Sequence, residues 1–84
     1  MKILLELIND RFKELGFNTI ISTNIFSHIS INIYNYNIAT IYFIRRIMVY
    51  CNKRNGYTTF EKKYDELTDI DEFIGEILTT ALYE

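Results

Sequence analysis

From Leu15 to Ile44 the chain carries no Asp, Glu, Lys or Arg, yet Asn, Ser, Thr and Tyr are frequent there. A membrane helix needs about 20 predominantly apolar residues, and Asn18, Asn24, His28, Asn32, Asn35 and Asn37 interrupt every such window. The stretch is therefore expected to be soluble sheet. It can shed charge because one face is buried and the other is polar but neutral.

Local pattern divides this stretch. Asn18 to Phe26 is rich in Thr and Ile and reads as a strand. From His28 to Tyr34, Ile29, Ile31 and Ile33 alternate with His28, Ser30, Asn32 and Tyr34, the period of a half-buried strand. Asn24 to Ser27 and Asn35-Tyr36-Asn37 are expected turns, because asparagine tolerates positive φ. Ile38 to Asn52 admits two readings. Ile38, Ile41, Ile44, Met48 and Cys51 suit a helix capped by Asn37, but the abundance of Ile, Thr, Tyr, Phe and Val favours sheet. The preferred reading is one long strand, bent or bulged near Arg45-Arg46. Asn55-Gly56 then predicts a hairpin between Met48–Asn52 and Tyr57–Lys62.

Helices are expected at both ends. Ile3, Leu4, Ile8, Phe12 and Leu15 form one apolar stripe over residues 2–15, with Gly16 placed to close the last turn. Ile70, Phe73, Ile74, Ile77 and Leu78 form a second stripe reaching Leu82, and Thr68 with Asp71 resembles a capping box. The expected fold is thus a two-layer α+β domain spanning residues 1–84. It has an N-terminal helix, an antiparallel sheet of three to five strands and a C-terminal helix, both helices covering the same side of the sheet.

Bulk properties narrow the function classes. Hydrophobic content of 49% with 24% charged residues is globular, and thirteen aromatics allow a small core to bury substantial area. The lone Cys51 excludes an internal disulfide and suits a reducing compartment, so the cytoplasm is the expected location. Glu6 and Asp10 interrupt the apolar run after Met1-Lys2, and no signal peptide is expected. Proline is absent, and the abundance of Ile and Asn matches AT-rich coding sequences such as those of many phages, low-GC bacteria and some archaeal viruses.

No catalytic, cofactor or metal motif is present. A single His28 without Cys or His at ligand spacing does not make a zinc site. Pairing His28 with Cys51 as base and nucleophile lacks an orienting third group, and Cys51 reads as an apolar filler. Gly16, Gly56 and Gly75 sit in no phosphate-cradling loop. The chain is therefore expected to be non-enzymatic and to need no cofactor.

Three surfaces remain as candidates. After Lys63 every charged residue is acidic (Asp65, Glu66, Asp69, Asp71, Glu72, Glu76 and Glu84), which offers a protein-binding surface or simply completes a helix N-terminus. Tyr34, Tyr36, Tyr42 and Tyr50 are expected on the sheet face away from the helices, either as a partner site or dimer seam or as a plain solvated antiparallel face. Arg45, Arg46, Lys53, Arg54, Lys62 and Lys63 offer an alternative contact to nucleic acid, with Tyr50 and Tyr57 beside the hairpin to stack bases, or are simply a solvated basic hairpin; the net charge of −2 argues weakly against general affinity for nucleic acid.

The helix–sheet–helix order is similar to that of double-stranded-RNA-binding domains. That family has a lysine-rich motif at the start of its last helix, where this chain has Asp65, Glu66, Asp69, Asp71 and Glu72, so RNA binding is not carried over. The chain also resembles the small anti-defence proteins of phages, including anti-CRISPR inhibitors, in size, in its Ile/Asn-rich proline-free composition, in element order and in its acidic C-terminal segment. That resemblance implies an inhibitor or adaptor acting on a host protein in the host cytoplasm. Asp65, Glu66, Asp69, Asp71, Glu72 and Glu76 would be the residues presented to a basic groove.

Overall fold

A computed structural model describes residues 2–83; Met1 and Glu84 lie outside the described residues. Helix α1 (Lys2–Glu14) is followed by five strands, β1 (Asn18–Ser22), β2 (Ser27–Ile33), β3 (Tyr36–Phe43), β4 (Ile47–Lys53) and β5 (Gly56–Lys62). A 3₁₀ turn (Tyr64–Glu66) leads into helix α2 (Ile70–Tyr83). The strands form one antiparallel meander in sequence order. Helix α1 packs on β1 and β2 while α2 packs on β3 and β4. The fold is two-layer α+β, as the pattern of apolar residues requires.

The core lies between these layers. Ile29, Ile31, Ala39, Ile41, Phe43, Ile47, Val49 and Cys51 alternate inward from the three central strands and meet Leu5, Ile8 and Phe12 of α1 and Phe73, Ile74 and Ile77 of α2. Strand periodicity of two places these residues on one face and leaves their neighbours on the other. In α1 the buried stripe is rotated from the expected one. Leu5 is buried, whereas Ile3 and Leu15, at the two ends of the helix, are 73% and 54% exposed. Gly16 does close the helix, with a φ of +96°.

Several boundaries differ from the sequence reading, each for an identifiable reason. The expected long strand over residues 38–52 is two strands, β3 and β4, closed by the pair Phe43↔Ile47. The turn between them, Ile44-Arg45-Arg46, contains no turn-forming residue; the Ile44 amide donates to the Arg46 carbonyl at 3.3 Å, and further bonds reach it from outside. The Tyr64 hydroxyl donates to the Ile44 carbonyl at 2.6 Å, and Arg46 pairs with Glu61 on β5 at 2.5 Å. The β2–β3 turn is Tyr34-Asn35, closed by Ile33↔Tyr36, and Tyr34 rather than an asparagine takes the left-handed conformation, with φ +55°. The first strand ends at Ser22 instead of Phe26. Helix α2 is capped by Asp69, whose Oδ1 accepts from the Glu72 amide at 3.2 Å, one residue later than the Thr68 expected. The Asn55-Gly56 signal does mark a hairpin, closed by Lys53↔Gly56 with Gly56 at φ +141°.

Burial raises the pKa of Tyr64 above its ordinary 10.0. The folded chain therefore holds this proton more tightly than the unfolded chain. Its contribution to stability is complete below pH 10.0 and is lost as pH rises through the higher folded value. Alkaline unfolding followed by circular dichroism is expected to show this loss. In Tyr64→Phe the same portion of the pH dependence disappears, and an unchanged profile would contradict the role assigned to the hydroxyl.

Candidate functional site: the uncovered sheet face

A β-bulge determines which tyrosines share a surface. On β3, Ala39 lies opposite Ile31 while Asn37 lies opposite Asn32, so Ile38 is an extra residue without a partner on β2. Both Ile38 and Ala39 are buried, and the inward-outward alternation reverses at this point. Residues 40 and 42 consequently face away from the helices, whereas Tyr36 sits with Ile33, Ile38 and Leu82 of α2 around a shallow depression. Tyr36 was expected on the open face; the bulge removes it. Tyr34, 86% exposed, stands at the β2–β3 turn rather than on that face.

The amide groups around the bulge are joined by asparagine side chains. Asn37 Nδ2 donates to Asn32 Oδ1 and to the Ala39 carbonyl, each at 3.0 Å. Asn52 Nδ2 donates to Asn37 Oδ1 at 2.7 Å and to its carbonyl at 2.9 Å. These side chains satisfy backbone groups that the interrupted ladder would leave open. They also fix the relative positions of β2, β3 and β4 at one end of the open face.

Beside this row, an aromatic stripe crosses four strands. His28 on β2 lies 5.1 Å from Tyr42 on β3, Tyr42 lies edge-on to Tyr50 on β4 at 5.5 Å, and Tyr50 lies 5.7 Å from Tyr57 on β5. Such edge and tilted contacts are the favoured geometry for aromatic pairs, so each ring is oriented by its neighbours. Phe26, Ile44, Met48, Thr40 and Asn52 join Tyr42, Tyr50 and Tyr57 in lining a groove of about 470 Å³. Of the residues that the strand register brings to this face, only Glu61 is charged, and Arg46 neutralises it at 2.5 Å. The face is thus aromatic, neutral and hydrogen-bonding.

The two charged candidates are arranged differently. In the acidic segment, Asp71 pairs with Arg11 of α1 at 3.1 Å and Glu76 with Lys62 at 2.5 Å. Asp69 caps α2, and Glu66 Oε1 accepts from the Lys63 amide at 3.0 Å. Four of the six proposed carboxylates therefore have intramolecular roles, while Asp65 and Glu72 make no ion pair among the described residues. The basic residues are divided between opposite ends of the sheet. Arg45, Arg46, Lys62 and Lys63 lie at the β3–β4 turn end, and Lys53 and Arg54 at the β4–β5 turn. Lys53 donates to the Thr80 carbonyl, and Lys62 lies over the Phe73 ring at 5.5 Å. The structure does not gather these cations into one patch.

His28 and Cys51 are on opposite faces. His28 Nδ1 is 3.3 Å from the Phe26 carbonyl on the open side, while Cys51 is fully buried with Sγ 3.9 Å from the Ile77 carbonyl. They cannot act on one substrate. Among the described residues no group of His, Cys, Asp and Glu is placed to hold a metal, and no helix is long and apolar enough to cross a membrane.

Sequence reasoning missed His28, Phe26 and Met48 as members of the site, and it placed Tyr57 with Tyr50 only as rings to stack bases beside the basic hairpin. Tyr57 was within reach: the two-residue hairpin loop sets Asn52 opposite Tyr57 and Tyr50 opposite Thr59, which puts Tyr57 and Tyr50 on one face. No protein-family model matches the sequence, and neither a curated protein nor a solved structure is significantly similar to it.

Proposed function

We propose that this chain is a small non-enzymatic binding domain, an inhibitor or adaptor of viral or mobile-element origin, that docks a host protein on the open face of its sheet. The observation that carries this reading is the continuous ring contact from His28 through Tyr42 and Tyr50 to Tyr57 on an uncovered face. Tyrosine supplies large, stiff contact area with a polar tip, and flanking Asn, Ser and Thr supply adaptable hydrogen bonds, the division of labour found in protein-binding loops of antibodies. Electrostatics favours a protein over nucleic acid. Phosphate tracking requires free cations beside the stacked rings, and among the described strand residues on this face the one charged side chain, Glu61, is already paired with Arg46.

Affinity capture with the immobilised chain tests this reading. The wild type is expected to retain a protein partner that is lost with the double substitution Tyr42→Ser/Tyr50→Ser and kept with Asp65→Lys/Glu72→Lys. The reverse pattern would transfer the function to the acidic helix and overturn the proposal.

A further inference from the structure

The two edges of the sheet are built differently. β5 carries Glu61 and Lys62, both ion-paired, and charge of this kind blunts a sheet edge. β1, the other edge, reads Asn-Thr-Ile-Ile-Ser, with no charge and no proline. Ile20 and Ile21 are 62% and 40% exposed on its two faces. Exposed apolar residues also flank the strand, Leu15 before it and Ile25 after it, at 54% and 87%. β1 pairs only with β2, so its outer backbone donors and acceptors have no strand beside them.

We propose that β1 pairs antiparallel with β1 of a second copy of this chain, about a two-fold axis passing Ile20 perpendicular to the sheet. This interface is distinct from the open-face site. The choice of a second copy rests on self-complementarity. With Ile20 opposite itself, Thr19 meets Ile21 of the second copy and Asn18 meets its Ser22. Pairing in this direction carries the segment bearing Ile25 alongside the segment of the other copy bearing Leu15. The same contact recurs on the other side of the axis, which is the reciprocity an isologous interface demands. No like charges are opposed along the paired strands, because nothing from Leu15 to Ile25 is charged. The product is a ten-stranded sheet, with both helical layers on one side and both aromatic faces joined on the other.

Sedimentation of the full chain from micromolar to millimolar concentration provides the test. A species of twice the 10.1 kDa chain mass is expected. Ile20→Lys and Ile21→Lys each remove an apolar contact at the edge, the first placing like charge at the axis and the second placing charge beside it, so each should weaken dimerisation by about tenfold or more. Tyr50→Lys should leave it unchanged. In the wild type, hydrogen exchange at β1 amides should slow as the dimer forms, a readout that needs no variant. A chain monomeric at millimolar concentration overturns the proposal. So does a dimer lost with Tyr50→Lys but kept with Ile21→Lys, or one in which β1 amides gain no protection.

Discussion

Phe73→Ala is expected to lower the unfolding free energy by about 3–5 kcal/mol, the cost of deleting a fully buried aromatic side chain and leaving a cavity. Phe73 has no exposed surface, meets Phe60 of β5 edge-on at 6.3 Å and lies beneath the Lys62 ammonium. It is the residue through which α2 closes one half of the sheet. A domain of this size has roughly 5–10 kcal/mol of stability in total, so the loss approaches the whole. Urea unfolding should show a much lower midpoint with an unchanged slope. Ile25→Ala, at an 87% exposed position, should change stability by no more than about 0.5 kcal/mol. A Phe73→Ala variant as stable as Ile25→Ala would mean that α2 does not cover the sheet.

The second large effect concerns binding. Tyr50 is the centre of the aromatic stripe, held between Tyr42 at 5.5 Å and Tyr57 at 5.7 Å. A ring immobilised on both sides before binding loses little entropy when a partner covers it. Tyr50→Ala is therefore expected to cost the captured partner at least about 2 kcal/mol, or some 30-fold in affinity, mostly through faster dissociation. Tyr57, at the end of the stripe and 66% exposed, should matter less. Tyr34→Ala should have no measurable effect, because Tyr34 stands at the β2–β3 turn away from the stripe. Titration calorimetry distinguishes the three. Equal losses at Tyr34 and Tyr50 would place the contact elsewhere.

The parts of this fold that were legible in the sequence are those governed by local rules. Alternating Ile29 and Ile31 gave β2 its buried face, Asn55-Gly56 marked the last hairpin, and the stripe Phe73-Ile74-Ile77 oriented α2. The parts that were not legible depend on distant partners. The Ile44-Arg45-Arg46 turn has one backbone bond of its own, from the Ile44 amide to the Arg46 carbonyl, and its further partners, Tyr64 and Glu61, lie far along the chain. The bulge at Ile38 is set by register against β2 and stabilised by Asn32 and Asn52. Because a single extra residue reverses every later side-chain direction, that bulge alone separates Tyr36 from Tyr42. Of the four tyrosines read onto the open face, Tyr42 and Tyr50 lie in the stripe, while Tyr34 and Tyr36 lie elsewhere. The acidic run was visible as a run, but its engagement with Arg11, Lys62 and the start of α2 was not.

The charge-free middle of the chain has a physical rationale in this arrangement. One side of β2 and β3 needs apolar residues to meet the helices. Under the proposed function, the other side needs residues that remain wettable when free and lose little on desolvation when a partner covers them. Uncharged Asn, Ser, Thr and Tyr meet the second requirement, because burying a hydrogen-bonded neutral group costs far less than burying a charge.

Site-specific photocrosslinking tests the central claim most directly. A photoreactive side chain at Thr59, beside Tyr50 on the open face, is expected to form a covalent adduct with a protein when the chain is expressed in host cells. The same group at Glu72 on α2 or at Arg54 in the β4–β5 turn should give none. Adducts from Glu72 alone, or to nucleic acid from Arg54, would contradict the account.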